Sequence, residues 1–385
     1  MLESLEIRSF KAFARATVPL GPFTVLVGPN GAGKTSVLQA IDLLGGVVKS
    51  SISEYLTSHD WAYSDLPHLR SPDTQIGFTA TLRQDGAPLQ WQLTLGARRY
   101  PGIAAEAVVA IGGESPSDTL LARKGRSMWR LREPSRIREA IRQTLPSSWL
   151  SAIDEDADRS SFPSLVRVAH WARQIRGFFF LDPLKLRAPG RGEAAELGPN
   201  GENLAPFLAR LQDHAPQSFR RLVDRVRQHY PRLVAVQPRR TKYGWTRLEI
   251  KERWNSEVTA FNARQMSDGL LRLLAVSAMH EIKEPPSVLL LDEIENGLHP
   301  RLLGGFVAML QELSRGGRTQ VIAATHSPIT VNYCEAADHV LIVARDAGGG
   351  AQVTPLSRTR NFEKLRQQLD PGELWYNVGE ERLLR

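Results

Sequence analysis

Apolar and polar residues alternate from Leu5 to Phe10, the period of a half-buried strand. A turn at Gly21-Pro22 precedes a solid apolar run, Phe23 to Val27, which predicts a buried strand leading into a glycine-rich loop. From Lys34 to Leu44 the apolar positions recur at helical spacing, and Gly45-Gly46 ends the helix. Gln75 to Leu82 and Leu89 to Leu95, on either side of Asp85-Gly86-Ala87-Pro88, have the pattern of an antiparallel hairpin. From about Pro116 to Ala215 the pattern predicts mostly helix, broken by the apolar Phe178 to Leu181 and the Pro/Gly-rich stretch 188–201. A second hairpin is expected across Leu233 to Trp254, turning near Tyr243-Gly244. The last third alternates: helix from Gly269 to Ile282, buried strand from Ser287 to Leu291, helix from Pro300 to Leu313, then strands at Gln320 to Thr325 and Val340 to Val343.

Alternating strands and helices imply a parallel sheet covered by helices on both faces. The run Phe23 to Val27 would join the strands of the last third in that sheet, leaving the middle of the chain as an insertion or lid. The expected class is α/β, with a mostly parallel core sheet, an antiparallel β subdomain and a largely helical insertion. The expected divisions are 1–100 and 261–345 for the two halves of the core, 101–260 for the helical and hairpin-bearing insertion, and 346–385 for a tail packed on the core.

Between the first buried strand and its helix lies Gly28-Pro29-Asn30-Gly31-Ala32-Gly33-Lys34-Thr35, a full match to G-x-x-x-x-G-K-[ST]. Glycines let backbone N–H groups turn inward around phosphate. The helix that follows points the positive end of its dipole at the same place. Asn30, Gly31, Ala32, Gly33, Lys34, Thr35 and Ser36 are therefore candidate phosphate ligands, with Lys34 on the β and γ phosphates and the Thr35 hydroxyl on Mg²⁺. Ser287-Val288-Leu289-Leu290-Leu291-Asp292-Glu293 is an apolar strand ending in two acids, and the carboxyl ends of such strands are where α/β sheets bind ligands. Asp292 would hold Mg²⁺ and Glu293 would act as general base on the attacking water. By itself such a strand end reads equally well as a solvated acidic turn.

Several further strings carry a family resemblance. Gln265-Met266-Ser267-Asp268-Gly269-Leu270 looks like a degenerate ABC signature, Glu295-Asn296-Gly297-Leu298-His299-Pro300 like a D-loop, and Ala323-Ala324-Thr325-His326-Ser327-Pro328 like a switch-histidine segment. Leu5-Glu6-Ile7-Arg8-Ser9-Phe10-Lys11-Ala12-Phe13 is similar to the opening strand of RecF and SMC heads, with Arg8 and Lys11 at its basic positions. Across 1–45 and 260–345 the chain resembles the P-loop NTPases whose ABC-type ATPase head is found in RecF, SMC and OLD-type proteins. Pro371 to Glu380 resembles stand-alone bacterial ATPases, many of them from defence or genome-maintenance systems.

The resemblance implies ATP and Mg²⁺ as cofactors, catalysis by Glu293, and His326 placed to sense the γ-phosphate, with Glu295 and Asn296 contributed by the D-loop. It also implies a homodimer in which Ser267, Asp268 and Gly269 of one chain close over ATP held by the other. Ser267 and Asp268 read equally as a plain helix N-cap, and Lys11 as either a phosphate neighbour or part of a solvated basic face. The departures are informative. No long heptad run predicts a coiled coil, the roughly 60 residues after His326 leave no expected room for the TOPRIM nuclease domain of OLD proteins, and Gln75 is only a weak Q-loop candidate.

Composition changes this picture little. Hydrophobic residues make up 42% of the 385 and charged residues 23%, as in soluble globular chains. The single cysteine, Cys334, fits a reducing cytoplasm, Met1 to Leu5 has no signal-peptide character, and no stretch approaches a membrane span. The net charge of +8 favours a polyanionic partner. Candidate duplex-DNA contacts are Arg123, Lys124, Arg126, Arg130 and Arg132, with Arg239, Arg240, Lys242 and Arg247 of the second hairpin, interleaved with Trp129, Tyr243 and Trp245. A solvated arginine face over core aromatics explains the same residues. The acidic run Asp154 to Asp158 reads as a solvated turn rather than a metal site. Three roles remain: a DNA-associated ATPase in repair or defence, a regulator of a separate effector protein from the same operon with Leu374-Trp375-Tyr376 as docking point or tail anchor, and, last, a transporter ATPase, against which the degenerate signature speaks.

Overall fold

The computed structural model describes residues 1–71, 75–83, 87–96, 102–112, 118–124, 127–133, 135–142, 145–178, 182–198, 200–380 and 383. The buried runs of the sequence meet in a core sheet with the order Ile175–Phe178, Val288–Leu291, Gln320–Ala324, Phe23–Val27, Val340–Arg345, Ala351–Pro355. The first five strands are parallel and the last is antiparallel. These strands are apolar because both faces are covered, and their side chains alternate between two cores. Val25, Val27, Leu289, Leu291, Val321 and Ala323 pack with the helices Asp268–Met279 and Pro300–Arg315. Leu26, Leu290, Ile322 and Ala324 pack with the helix Lys34–Lys49 and the second sheet.

That second sheet is antiparallel, in the order Phe13–Pro19, Leu2–Phe10, Ile76–Leu82, Leu89–Leu95, Ile103–Ala110, Asp118–Lys124, Ser127–Arg132, Ile137–Ala140. Here the helical expectation for the start of the 116–215 stretch fails: 118–140 supplies three strands. Met128 and Leu131 are buried at a spacing of three, which mimics a helix face. Cross-strand pairs such as Leu121 with Arg130 and Ala122 with Trp129 decide the outcome instead. The sheet runs on past position 100, and the middle of the chain returns Ile175–Phe178 to the core sheet as an edge strand, somewhat earlier than the apolar stretch marked from sequence. Residues 179–181, 113–117 and the hairpin turn 84–86 lie outside the described residues. Inside this sheet Glu106, 2% exposed, accepts hydrogen bonds from Trp91 Nε1 (3.1 Å), the Ser148 hydroxyl and Trp149 N (2.9 Å).

The helix Leu204–His214 appears as expected, and so does the second hairpin, Leu233–Arg240 with Trp245–Trp254; between them lies a helix not expected from the sequence, Pro216–His229. Glu257–Asn262 and Gly190–Arg191 join its other edge. The tail is fastened to the core by the helix Pro371–Val378: Gly372 N donates to Asn332 Oδ1 at 2.7 Å, and a Cβ on Gly372 would come within 1.9 Å of the Pro328 carbonyl oxygen. Leu374 and Trp375 are buried in that contact and Tyr376 is exposed, so the first two anchor the tail. Asp154 caps its own turn, accepting from Asp156 N and Ala157 N, while Glu155 pairs with Arg173. No helix among the described residues is long and apolar enough to cross a membrane.

Candidate ATPase site

The strand Phe23–Val27 delivers the chain to the carboxyl edge of the core sheet, where the glycine-rich loop turns back into the helix Lys34–Lys49. Gly28 sits at φ 147°, and a Cβ there would lie 2.0 Å from the Val343 carbonyl oxygen. Gly33 sits at φ 119° with the Ala12 methyl 2.9 Å from its own missing Cβ. Only glycine fits either position. Lys34 is 5% exposed, and its Nζ donates to the carbonyls of Gly28 (2.8 Å) and Pro29 (3.0 Å) and lies 3.4 Å from His326 Nδ1. Burial lowers its pKa, opposed by the acids Asp292, Glu295, Glu380 and Glu293.

The acidic strand end meets this loop directly. The Thr35 hydroxyl donates to Asp292 Oδ2 at 2.7 Å, so a P-loop oxygen and a carboxylate oxygen stand side by side. These are hard donors of the kind that hold Mg²⁺. Desolvation raises the Asp292 pKa, and the Thr35 hydrogen bond opposes it. Glu293 takes a left-handed backbone, φ 48°, and Asn296 Nδ2 lies 3.4 Å from its Oε2. Glu295 accepts from the Thr325 hydroxyl and from His326 N, both at 2.6 Å, which ties the D-loop string to the switch-histidine string. A cavity of about 940 Å³ opens between these elements, lined by Asn30, Gly31, Gly33, Lys34, Thr35, Ser36, Glu293 and His326. Ala32 is buried behind the loop.

Lys11 belongs to the cleft wall rather than to a solvated face. Its Nζ donates to Gln39 Oε1 at 2.7 Å and stands 3.2 Å from the centre of the Trp61 ring. Burial brings its pKa down to about 8. Arg70 and Arg345 also line the cleft and were not found by sequence reasoning. Arg345 Nε donates to the Gly31 carbonyl at 2.9 Å and ties the end of its strand to the P-loop, while Arg70 Nη1 donates to the Gly348 carbonyl at 3.2 Å and holds the following turn. A charged residue ending a core strand was the available signal for Arg345; nothing local marks Arg70.

The signature string lies elsewhere. Ser267 caps the helix Asp268–Met279 by accepting from Leu270 N (3.3 Å), Asp268 pairs with Arg187, and Gly269 is buried against Leu298 and Leu302. None of the three lines the cleft. Gln75 is exposed just before Ile76–Leu82 and does not line the cleft either. The candidate DNA contacts divide between two sheets and are mostly engaged. Arg123 donates to the carbonyls of Leu145 and Ser147. Arg130 pairs with Glu139 and Asp158 and lies 3.8 Å from the Phe162 ring centre. Arg132 pairs with Glu139, Arg239 with Glu249 and Arg240 with Asp213. Lys124, Lys242 and Tyr243 are exposed, and Arg126 is outside the described residues.

A P-loop on a parallel sheet, a facing acidic strand end and a flanking antiparallel sheet define an ABC-class P-loop ATPase of the RecF, SMC and OLD group. Residues 23–332 match the profile of the family described as "AAA domain, putative AbiEii toxin, Type IV TA system", and the chain belongs to that family. It is 24% identical to the OLD nuclease of Thermus scotoductus over 369 residues, 87% of this chain and 61% of that protein. It is 32% identical to the DNA replication and repair protein RecF of Acaryochloris marina over 110 residues, 28% of this chain and 27% of that protein. The chain thus spans less than two thirds of these relatives. An SMC head solved bound to the C-terminal winged-helix domain of ScpA aligns with a TM-score of 0.56 at 15% identity, over 92% of this chain and 96% of that one, and shares its fold.

Proposed function

We propose that this chain binds and hydrolyses Mg-ATP and that two copies close around the nucleotide. The observation that carries the reading is the convergence of Lys34, Thr35, Glu293 and His326 on one cleft, with Asp292 Oδ2 2.7 Å from Thr35 Oγ1. Lys34 turns from the Gly28 and Pro29 carbonyls to the β and γ phosphates, and the loop N–H groups and the helix N-terminus hold the remaining charge. Thr35 and Asp292 would hold Mg²⁺, which when bound would supply Lewis-acid neutralisation of the phosphate oxygens. Glu293 orients the attacking water and accepts its proton, with Asn296 steadying the carboxylate. His326 reads the γ-phosphate. Because Glu295 holds both Thr325 and His326, loss of that phosphate is passed to the D-loop.

The dimer reading rests on Ser267, Asp268 and Gly269 standing outside the cleft of their own chain, as a contribution to the partner's site requires. Glu293→Gln protein examined by light scattering should double its mass in Mg-ATP and not in Mg-ADP; a monomer with ATP bound would sink the dimer. The biological role we infer is an ATP-timed cytoplasmic switch in DNA repair, genome maintenance or anti-phage defence. A second reading, control of a separate nuclease or toxin without DNA contact, is favoured by the intramolecular pairing of Arg123, Arg130, Arg132, Arg239 and Arg240. Turnover measured with and without duplex DNA separates them: stimulation supports the first, indifference the second.

A further inference from the structure

The cleft of the P-loop has two unlike walls. Glu293 and His326 stand just past the core strands Val288–Leu291 and Gln320–Ala324. The other wall is made of three turns, which carry Ala12, His68 to Arg70, and Asp346 to Gly349. Hydrogen bonds join these turns into one piece. Lys11 N donates to the Leu66 carbonyl at 2.7 Å and Ala351 N to the Ala12 carbonyl at 2.9 Å. His68 Nδ1 lies 2.7 Å from the Lys11 carbonyl oxygen, and Arg70 Nη1 donates to the Gly348 carbonyl at 3.2 Å. On the nucleotide reading above, hydrolysis takes place at the γ-phosphate, beside Glu293 and His326. A nucleoside triphosphate carries its base at the far end of the phosphate chain, so the base meets the wall of turns.

At the rim of that wall, Leu69 and Arg70 are the central pair of a turn closed by Ser71 N, which donates to the His68 carbonyl at 3.2 Å. Both neighbours of Leu69 are fixed, His68 to Lys11 and Arg70 to Gly348, so the turn presents Leu69 from a rigid base. Leu69 is 85% exposed, more than any other large apolar side chain among the described residues, and it lines the cleft. A single exposed leucine on an open surface needs no explanation. This one borders a ligand cleft, and the polar side chains around it are tied into the turns. Arg345 donates to the carbonyls of Gly31 and Gly349, and the Asp346 carboxylate accepts from Gly350 N (3.0 Å) and Gln352 Nε2 (3.1 Å). The surface this wall leaves open for a base is therefore apolar, and it suits the flat face of the ring rather than the donors and acceptors of its edge.

We propose that Leu69 is the base-contact residue of the cleft: the purine ring of the nucleotide lies over its side chain, and the contact holds purines without choosing between them. This rests on the nucleotide reading of the cleft and adds to it the residue that binds the base. The test is calorimetric titration of full-length wild-type and Leu69→Ala protein with the non-hydrolysable imido analogues of ATP and GTP and with inorganic tripolyphosphate. Leu69→Ala should weaken both nucleotide analogues by the same factor, about tenfold, the scale of covering most of a leucine side chain. Tripolyphosphate, which has no base, should bind the two proteins equally. Leu69→Met keeps the apolar bulk and should restore nucleotide affinity to within about twofold of wild type. Unchanged nucleotide affinity in Leu69→Ala overturns the proposal, as does an equal loss for tripolyphosphate. Loss of the ATP analogue without loss of the GTP analogue overturns the assignment to the ring face. Failure of wild-type protein to bind any of the three overturns the nucleotide reading itself, a result distinct from each of the others.

Discussion

At the carboxyl edge of the core sheet, Lys34, Glu293 and His326 line a cleft of about 940 Å³, and Asp292 is bonded to the lining residue Thr35. On the outer strands of the antiparallel sheet, Arg123, Arg130 and Arg132 face their own fold, held by the carbonyls of Leu145 and Ser147 and by Glu139 and Asp158. Both regions are rich in charge. In the first, the charged groups border open volume and are kept near it by backbone geometry that only glycine permits at Gly28 and Gly33. In the second, the charges are consumed in holding strands and loops together. The difference teaches that a charge count says little about ligand binding until each charge's partner is known, because a paired arginine must lose its present partner before it gains another.

The two regions should respond differently to substitution. The largest effect is expected at Lys34. Lys34→Met should weaken ATP binding about 100-fold or more, as removal of one member of a desolvated charge pair does. It should not lower the thermal midpoint, because burial already penalises the lysine's charge. Nucleotide titration and a melting curve on the same sample check both halves. Next comes Glu106 in the antiparallel sheet. Glu106→Ala strands the donors of Trp91, Ser148 and Trp149 and should cost about 3 kcal/mol in denaturant unfolding, with ATP affinity unchanged.

A smaller effect is expected at Lys11. Its pKa of about 8 in the folded chain lies below the ordinary lysine value of 10.5. Below pH 8 the ammonium is present to meet phosphate, and as pH rises through 8 that attraction is lost. ATP affinity should therefore fall from pH 7 to 9, by about tenfold at most, and Lys11→Met should flatten the profile. The folding contribution has the opposite sign. The desolvation cost is present in full below pH 8 and is lifted between 8 and 10.5, where the unfolded chain still binds the proton. The smallest effect belongs to Arg239, whose own side chain is mostly exposed where it pairs with Glu249. Arg239→Ala should change stability by no more than about 0.5 kcal/mol.

Much of the site could be read from the sequence because its strings are contiguous. The residues 28–35 and 287–293 each carry their own strand, loop and chemistry, and the alternation of the last third gives the parallel sheet. Other features depend on residues that only folding brings together. Met128 and Leu131 are spaced as on a helix, and only pairing with the strand Asp118–Lys124 shows that they lie in a sheet. Arg70 reaches the cleft through a contact with Gly348, far along the chain, and no local pattern marks it. Glu106 is buried by Ser148 and Trp149, which lie far along the chain, so nothing local marks it as a core acid. Lys11, which the sequence left between two readings, is placed in the cleft by Gln39 and Trp61.

Whether the P-loop and the acidic strand end form one ATPase site is decided by measuring ATP binding and Mg-ATP turnover in parallel on wild-type and Glu293→Gln protein. The variant should keep wild-type ATP affinity and lose turnover by about a thousandfold, the scale of a lost general base. Equal turnover in the two proteins, or loss of ATP binding in the variant, would contradict it.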